Sequence, residues 1–437
     1  MINYPDHVKN KLMNIVEEMA KHPEYYVKNP KRDFTRKRKL NFKSVIEILL
    51  SIGGGSISNE LLKHFNYDAT TASSSAFVQQ RDKILPSTFE ILLDKFTNSF
   101  DNLKTYNGYR LLAVDGSALN IAHNPKDVDS YCQSSPDSKG YNLLHLNAVY
   151  DLCNKLYIDA FIQSYNQRNE FRALTDMVGR SKTTDKSIFI ADRGYESYNV
   201  FANIEKMDFN YLIRVKDVKS RGIASSLILP DKNEFDTIIN LKLTRRQTNE
   251  IKAHPEIYKF LPKNTTFDFL KPKDRKVFPI SFRVVRFKIS ENNYETIITN
   301  LNSSEFPSSE IKKLYHMRWG IETSFRELKY ALGLINFHSK KVDYIFQEVF
   351  AKLVMYNFCE IITLHVVITQ KYTKHTYQVN FTMAMQICRH FFKCLENISP
   401  PDVEALIRKY ILPIRDGRKD QRKLKPKTTI SFNYRVA

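Results

Sequence analysis

The spacing of hydrophobic positions changes along the chain. Up to about residue 105 it is helical. SVIEILLSI (44–52) is an amphipathic run, Gly53-Gly54-Gly55 breaks it, SISNELLKHF (56–65) resumes with Ser56 as a cap signal, and a third helical run covers 72–84. From about 106 short apolar runs replace this pattern. YRLLAV (109–114) reads as a buried strand that ends at Asp115-Gly116-Ser117. LHLNAVY (144–150) and KLYIDAFIQ (155–163) read as the two strands of a hairpin turning at 151–154. A helical pattern over 168–180 leads to the strand SIFIA (187–191), which ends at Asp192, and a helix near 196–207 leads to the strand YLIRV (211–215). This order predicts a mixed α/β domain.

Residues 217–300 interrupt it. PISFRVVRFKI (279–289) and YETIITNL (294–301) are strands flanking a polar turn, and strong helical periodicity is missing. The expected organisation is a helical domain at 1–105 and an α/β domain in two parts, 106–216 and 301–400. A β-rich insertion at 217–300 separates the parts, and a basic tail follows at 401–437, with 408–427 as an extended arm. The apolar stretch 353–369 carries Asn357, Glu360 and His365, so it reads as a buried helix and not a membrane span.

Composition sharpens the picture. The net charge is +20, which is costly in self-repulsion unless an anionic partner neutralises it. Nucleic acid and acidic membrane surfaces both fit that charge. The segment 28–43, KNPKRDFTRKRKLNFK, concentrates lysine and arginine beside a helix-turn-helix-like pattern, which favours DNA. The triple glycine is not a phosphate-binding loop, because no Gly-Lys-Ser/Thr follows it. The five cysteines form no C-x-x-C pair and fit reduced thiols in a cytoplasmic protein. Cys388, His390 and Cys394 raise a metal question, but they lie in an apolar helical run and read as core and surface.

Chemistry enters through acidic residues. Asp115 and Asp192 each follow an apolar strand, at the mouth of a sheet where ligands of open α/β folds gather. One such aspartate is ordinary turn chemistry; two in a basic α/β chain suggest a metal site. Asp159, by contrast, lies inside a strand and is expected on a solvated face. The pattern 310–332 predicts one continuous helix. At about 100° per residue, Tyr315, Arg318, Glu322 and Lys329 share an arc of roughly 60° beside a buried stripe of Leu314, Met317, Ile321, Phe325 and Leu328. Glu327 points away from that arc and is expected in solvent. A surface ion-pair ladder would give the same spacing.

These four residues also carry a resemblance. Tyr315-x-x-Arg318-x-x-x-Glu322-x-x-x-x-x-x-Lys329 matches the Y-(2)-R-(3)-E-(6)-K signature of the IS4 family of bacterial transposases. VDGS at Asp115 and ADRGY at Asp192 resemble the family's first two catalytic blocks, and NQRNE (166–170) is similar to its connecting region. The resemblance covers about 106–365. It implies an RNase H-like mixed sheet with flanking helices, interrupted by a β-strand insertion. It also implies a DDE transposase that cuts element ends and transfers strands, with Asp115, Asp192 and Glu322 as catalytic residues and metal ligands.

Two Mg²⁺ ions, for which Mn²⁺ can substitute, would serve as cofactors. Double-stranded DNA would be the partner, held by Tyr315, Arg318, Lys329 and Arg193, with a homodimer in the synaptic complex and no membrane. The competing expectations are a metal-dependent nuclease of the same fold without strand transfer, and a transposase-derived DNA-binding protein that has abandoned the chemistry.

Overall fold

The computed structural model describes residues 3–101, 103–133, 135–137, 139–368, 376–394 and 399–414. The chain opens with helices α1 (Tyr4–Lys21), α2 (Phe42–Ser51), α3 (Ile57–His64), α4 (Ser74–Arg81) and α5 (Ser87–Thr97). The first four start at polar caps. The side chains of Asn3, Asn41, Ser56 and Ser73 accept from the backbone N–H groups of Asp6, Ser44, Asn59 and Ala76. The glycine break between α2 and α3 has a packing reason. A Cβ at Gly53 would lie 2.7 Å from Glu60 Oε1 and one at Gly55 2.9 Å from it, so the loop can close over this buried carboxylate. Glu60 is matched there by Lys393 at 3.3 Å.

The central sheet follows as β1 (Arg110–Ile121), β2 (Tyr131–Cys132), β3 (Tyr141–Asp151) and β4 (Leu156–Ser164). Next come α6 (Glu170–Gly179), β5 (Ser187–Ala191), α7 (Tyr198–Lys206) and β6 (Asn210–Val215). Its core order is β4-β3-β1-β5-β6, with β3 antiparallel to both β4 and β1, and β5 parallel to both β1 and β6. This is the expected RNase H-like mixed sheet.

The β-rich stretch supplies β7 (Phe235–Thr244), α8 (Asn249–Ala253), β8 (Tyr258–Phe260), β9 (Val277–Ser290) and β10 (Asn293–Thr299). These strands prolong the same sheet. β10 pairs with β6 through Thr296 opposite Val215, and β9, β7 and β8 extend it outward. Ile298 joins Ile213, Phe282 and Val284 in the core on the α6–α7 face, so burial drives the continuation.

The opposite face is covered by α9 (Ser308–Met317), α10 (Trp319–Tyr330) and α11 (Val342–His365); α12 (Phe381–Lys393) and α13 (Val403–Lys409) follow. α11 is buried along nearly all its length, as its sequence predicted. Its core is shared with Val8 and Leu12 of α1, Val45 and Leu49 of α2, and Leu92 and Phe96 of α5. The N-terminal helices are therefore packed into the body of the molecule. No helix among the described residues is long and apolar enough to cross a membrane. Residues 415–427 of the expected basic arm lie outside the described residues, while Ile411–Pro413 forms a short strand.

Two expectations about acidic residues are corrected. Asp159 is half-buried and takes a two-pronged ion pair from Arg180, at 2.7 and 2.8 Å. Glu327 is not solvated, because α11 packs on that side of α10 and the Tyr356 hydroxyl donates to it at 3.0 Å.

Candidate active site

Asp115 lies within β1 and not beyond its end, contrary to the sequence pattern. Pairing with β5 nevertheless stops at Val114 opposite Ala191, one position earlier. β1 runs on beside β3 alone, through Ile121 opposite Asn142. Asp192 follows directly on the tip of β5, so the two aspartates begin the notch where the parallel strands part. Each carboxylate is fixed by local backbone: Asp115 Oδ1 accepts from Gly116 N and Asp192 Oδ1 from Gly194 N, both at 2.8 Å.

Alternation along β1 puts Asp115 and Ser117 on the same face as Ala113 and Leu119, which pack toward α10 and α11. α10 is held against this face at several points. Lys329 Nζ donates to Ser117 Oγ at 2.7 Å and to the Ala118 carbonyl at 3.0 Å. Ser324 Oγ and the Tyr157 hydroxyl of β4 are 2.8 Å apart. The predicted continuous helix is in fact interrupted at Arg318. There Arg318 N bonds to Tyr315 O and Ile321 N to Arg318 O, a locally tightened turn between α9 and α10. A Cβ at Gly320 would lie 2.9 Å from Leu152, so glycine lets the helix start close to the β3–β4 turn.

The result brings residues distant in sequence together. Arg318 Nη2 donates to Glu322 Oε1 at 2.8 Å, and its Nη1 stands 3.5 Å from Asp115 Oδ2. Burial pushes the Asp115 carboxyl up to about 6. Asp192 and Glu322 act in the same direction, against the Gly116 N–H and Arg318. The pocket thus holds more negative charge than its one arginine offsets, inside a protein of net charge +20. Hard carboxylate oxygens in such a pocket suit a divalent cation such as Mg²⁺. Among the described residues, no three His, Cys, Asp or Glu side chains already converge as a cage for a metal ion. Here Arg318 is the counter-charge between Asp115 and Glu322.

The remaining candidates are placed unequally. Tyr315 is buried, with the Arg318 guanidinium carbon 5.7 Å from its ring centre, so it supports Arg318 and has no exposed surface to offer a ligand. Arg318 is itself buried, with Nε and Nη1 making no hydrogen bond. Arg193 is exposed and lines a cavity of about 440 Å³ with Arg214, Lys216, Lys219 and Arg286. Cys388 is buried in the core, as expected.

By sequence, residues 106–358 match the family described as Transposase DDE domain, more than half of the chain. The chain belongs to this family of transposases. A sequence comparison with curated proteins found no match. Among solved structures, the chain is similar to a piggyBac transposase in a synaptic complex with hairpin DNA. The identity is 10%, the TM-score 0.46, and the alignment covers 94% of this chain and 82% of that one.

One feature of this transposase's site is absent from the sequence pattern, in which 166–170 resembles only a connecting segment. Glu170, the first residue of α6, and His145 of β3 pack against the notch from its other face, with His145 Nε2 2.9 Å from Glu170 Oε1. The signal available in sequence was the glycine directly after Asp115 and the one two residues after Asp192.

Proposed function

We propose that the protein is a DNA transposase of the IS4 type. In this reading it cleaves DNA at the ends of an insertion sequence and joins them to target DNA, with Asp115, Asp192 and Glu322 as its catalytic carboxylates. The observation that carries the reading is the meeting of Asp115 and Glu322, which lie on different elements, around one buried arginine. The DDE-domain match supports it.

Asp115 would hold both of two Mg²⁺ ions, with Asp192 and Glu322 each completing one site. Mn²⁺ is expected to substitute. When bound, such a pair would supply charge neutralisation at the attacking and leaving oxygens of a phosphodiester. The chain's own residues orient the reaction. The Gly116 and Gly194 N–H groups hold the aspartates, and Lys329 ties α10 to β1 so that Glu322 faces them. In this reading Arg318, whose Nη1 makes no hydrogen bond in the folded chain, would offer that group to a phosphate oxygen. Water first releases a 3′-OH at the element's end, and that hydroxyl then attacks a second phosphodiester. No covalent bond to the protein is required.

Double-stranded DNA would run along the basic cavity at Arg193 and the basic segment 28–43. Two ends must be cut together, so a homodimer is the expected working assembly.

The test is incubation of the purified protein and Mg²⁺ with DNA carrying the sequences that flank its gene. Nicking or double-strand cleavage at those ends, followed by joined products, is expected. Both should be lost in Asp115→Ala, Asp192→Ala and Glu322→Ala. Near-normal cleavage by one of these variants removes that residue from the site. Cleavage without joining would identify a nuclease instead.

A further inference from the structure

The opposite face of the notch carries chemistry that the three-carboxylate reading does not use. A side chain at Gly116 would collide with the His145 ring and stand 3.1 Å from Glu170 Oε1. A Cβ at Gly194 would stand 3.2 Å from Glu170 Oε2 and 2.9 Å from Asp192 Oδ1. Glu170 therefore reaches through two gaps that glycine leaves open, to the backbone beside each aspartate. Because its Oε2 and Asp192 Oδ1 both lie close to one point, both are within reach of one cation and its water shell.

His145 stands behind the carboxylate. It is 6% exposed, its Nε2 touches Glu170 Oε1 at 2.9 Å without hydrogen-bond geometry, and its Nδ1 makes no hydrogen bond. A second buried group lies within electrostatic range of the same carboxylates. Tyr195 is 1% exposed and its hydroxyl has no hydrogen-bond partner, although the charges of Glu170, Asp115 and Asp192 all act on it. A buried donor without a partner is costly, and one beside three carboxylates is suited to a ligand-borne oxygen.

We propose that Glu170 is a fourth carboxylate of the cation site, on the side of Asp192, with His145 as the residue that positions it. The inference rests on the proposed function, and its test separates the two. Mn²⁺ binding to the full-length protein, without DNA, is followed by the paramagnetic signal of the free ion.

Asp192→Ala and Asp115→Ala should abolish tight binding. Glu170→Gln, which keeps shape and loses charge, should weaken binding at least roughly tenfold, and Glu170→Asp should restore part of it. His145→Gln should weaken binding by about tenfold through misplacement of Glu170. Metal-free melting temperatures of these variants separate misfolding from lost ligation.

A measurement on the unaltered chain stands beside them. Fe²⁺ with ascorbate and peroxide cuts backbone near a bound ion, and mass spectrometry should find cuts near 115, 192 and 170. Normal Mn²⁺ affinity in Glu170→Gln, or cuts near 115 and 192 with none near 170, overturns the role of Glu170 and leaves the proposed function intact. Mn²⁺ binding that survives Asp115→Ala and Asp192→Ala overturns the proposed function itself.

Discussion

The guanidinium of Arg318 stands 3.5 Å from the carboxylate of Asp115, so the turn between α9 and α10 is tied electrostatically to the middle of β1. The tie offsets burial only in part, since the Asp115 carboxyl is still pushed up to about 6, from an ordinary value of 3.8.

That displacement has a sign that can be measured. Below the ordinary value both folded and unfolded chains hold the proton, and Asp115 adds nothing unfavourable. As pH rises toward about 6 the unfolded chain loses its proton first, so the metal-free folded state loses stability. Above about 6 the full penalty is present. Asp115→Asn removes it. In metal-free buffer the variant should be more stable than the natural chain at pH 7–8, by on the order of 1–3 kcal/mol. The gain should shrink below about pH 6 and vanish near pH 4. Thermal melts across this range check it, and a pH-independent difference would show that Asp115 is not the group responsible.

Arg193 tests the DNA path without disturbing the fold, because its side chain is exposed beside the basic cavity. Arg193→Ala should lower affinity for all DNA sequences alike and reduce the slope of log affinity against log salt by about one. Its melting temperature should not change. An unchanged salt slope would take Arg193 off the DNA path.

Arg81 tests how firmly the N-terminal helices are joined to the catalytic body. It is fully buried on α4, pairs with Glu348 of α11 at 2.9 Å, and donates to Gln347 at 2.8 Å and to the Tyr344 carbonyl. Arg81→Met removes the full counter-charge of the buried Glu348 carboxylate and leaves it only the contacts to His338. A loss of about 3–5 kcal/mol is expected. Urea denaturation measures it, and a change below about 1 kcal/mol would mean that the pair is not closed in solution.

The legible parts of the molecule were those written in local periodicity. The shared side of Glu322 and Lys329 could be read because both lie within α10, where helix geometry sets it; that this side faces β1 was not in the spacing. The length of β1 could not be read, because Gly116-Ser117 and Asn120 are turn-like residues. They are held extended by pairing with β3, which lies more than twenty residues away in sequence. The break at Arg318 was hidden for a different reason: the apolar spacing runs on across it, and Gly320 alone, beside Leu152 of another element, marks the place. Glu327 was misplaced because a helical wheel gives direction and not neighbours. Tyr315 was placed on the right arc and the wrong depth, since packing between α9 and β6 decides its exposure.

The pairing of β10 with β6 also has a cost during synthesis. When Val215 leaves the ribosome, its partner strand has not yet been made, and the edge of β6 offers unpaired N–H and C=O groups beside an apolar face. At ~5–20 residues per second, residues 293–299 arrive on the order of ten seconds later. For that interval the nascent chain carries an adhesive border. Slowing translation between 216 and 293, or withholding chaperones, should therefore increase aggregation more than the stability of the finished sheet would suggest.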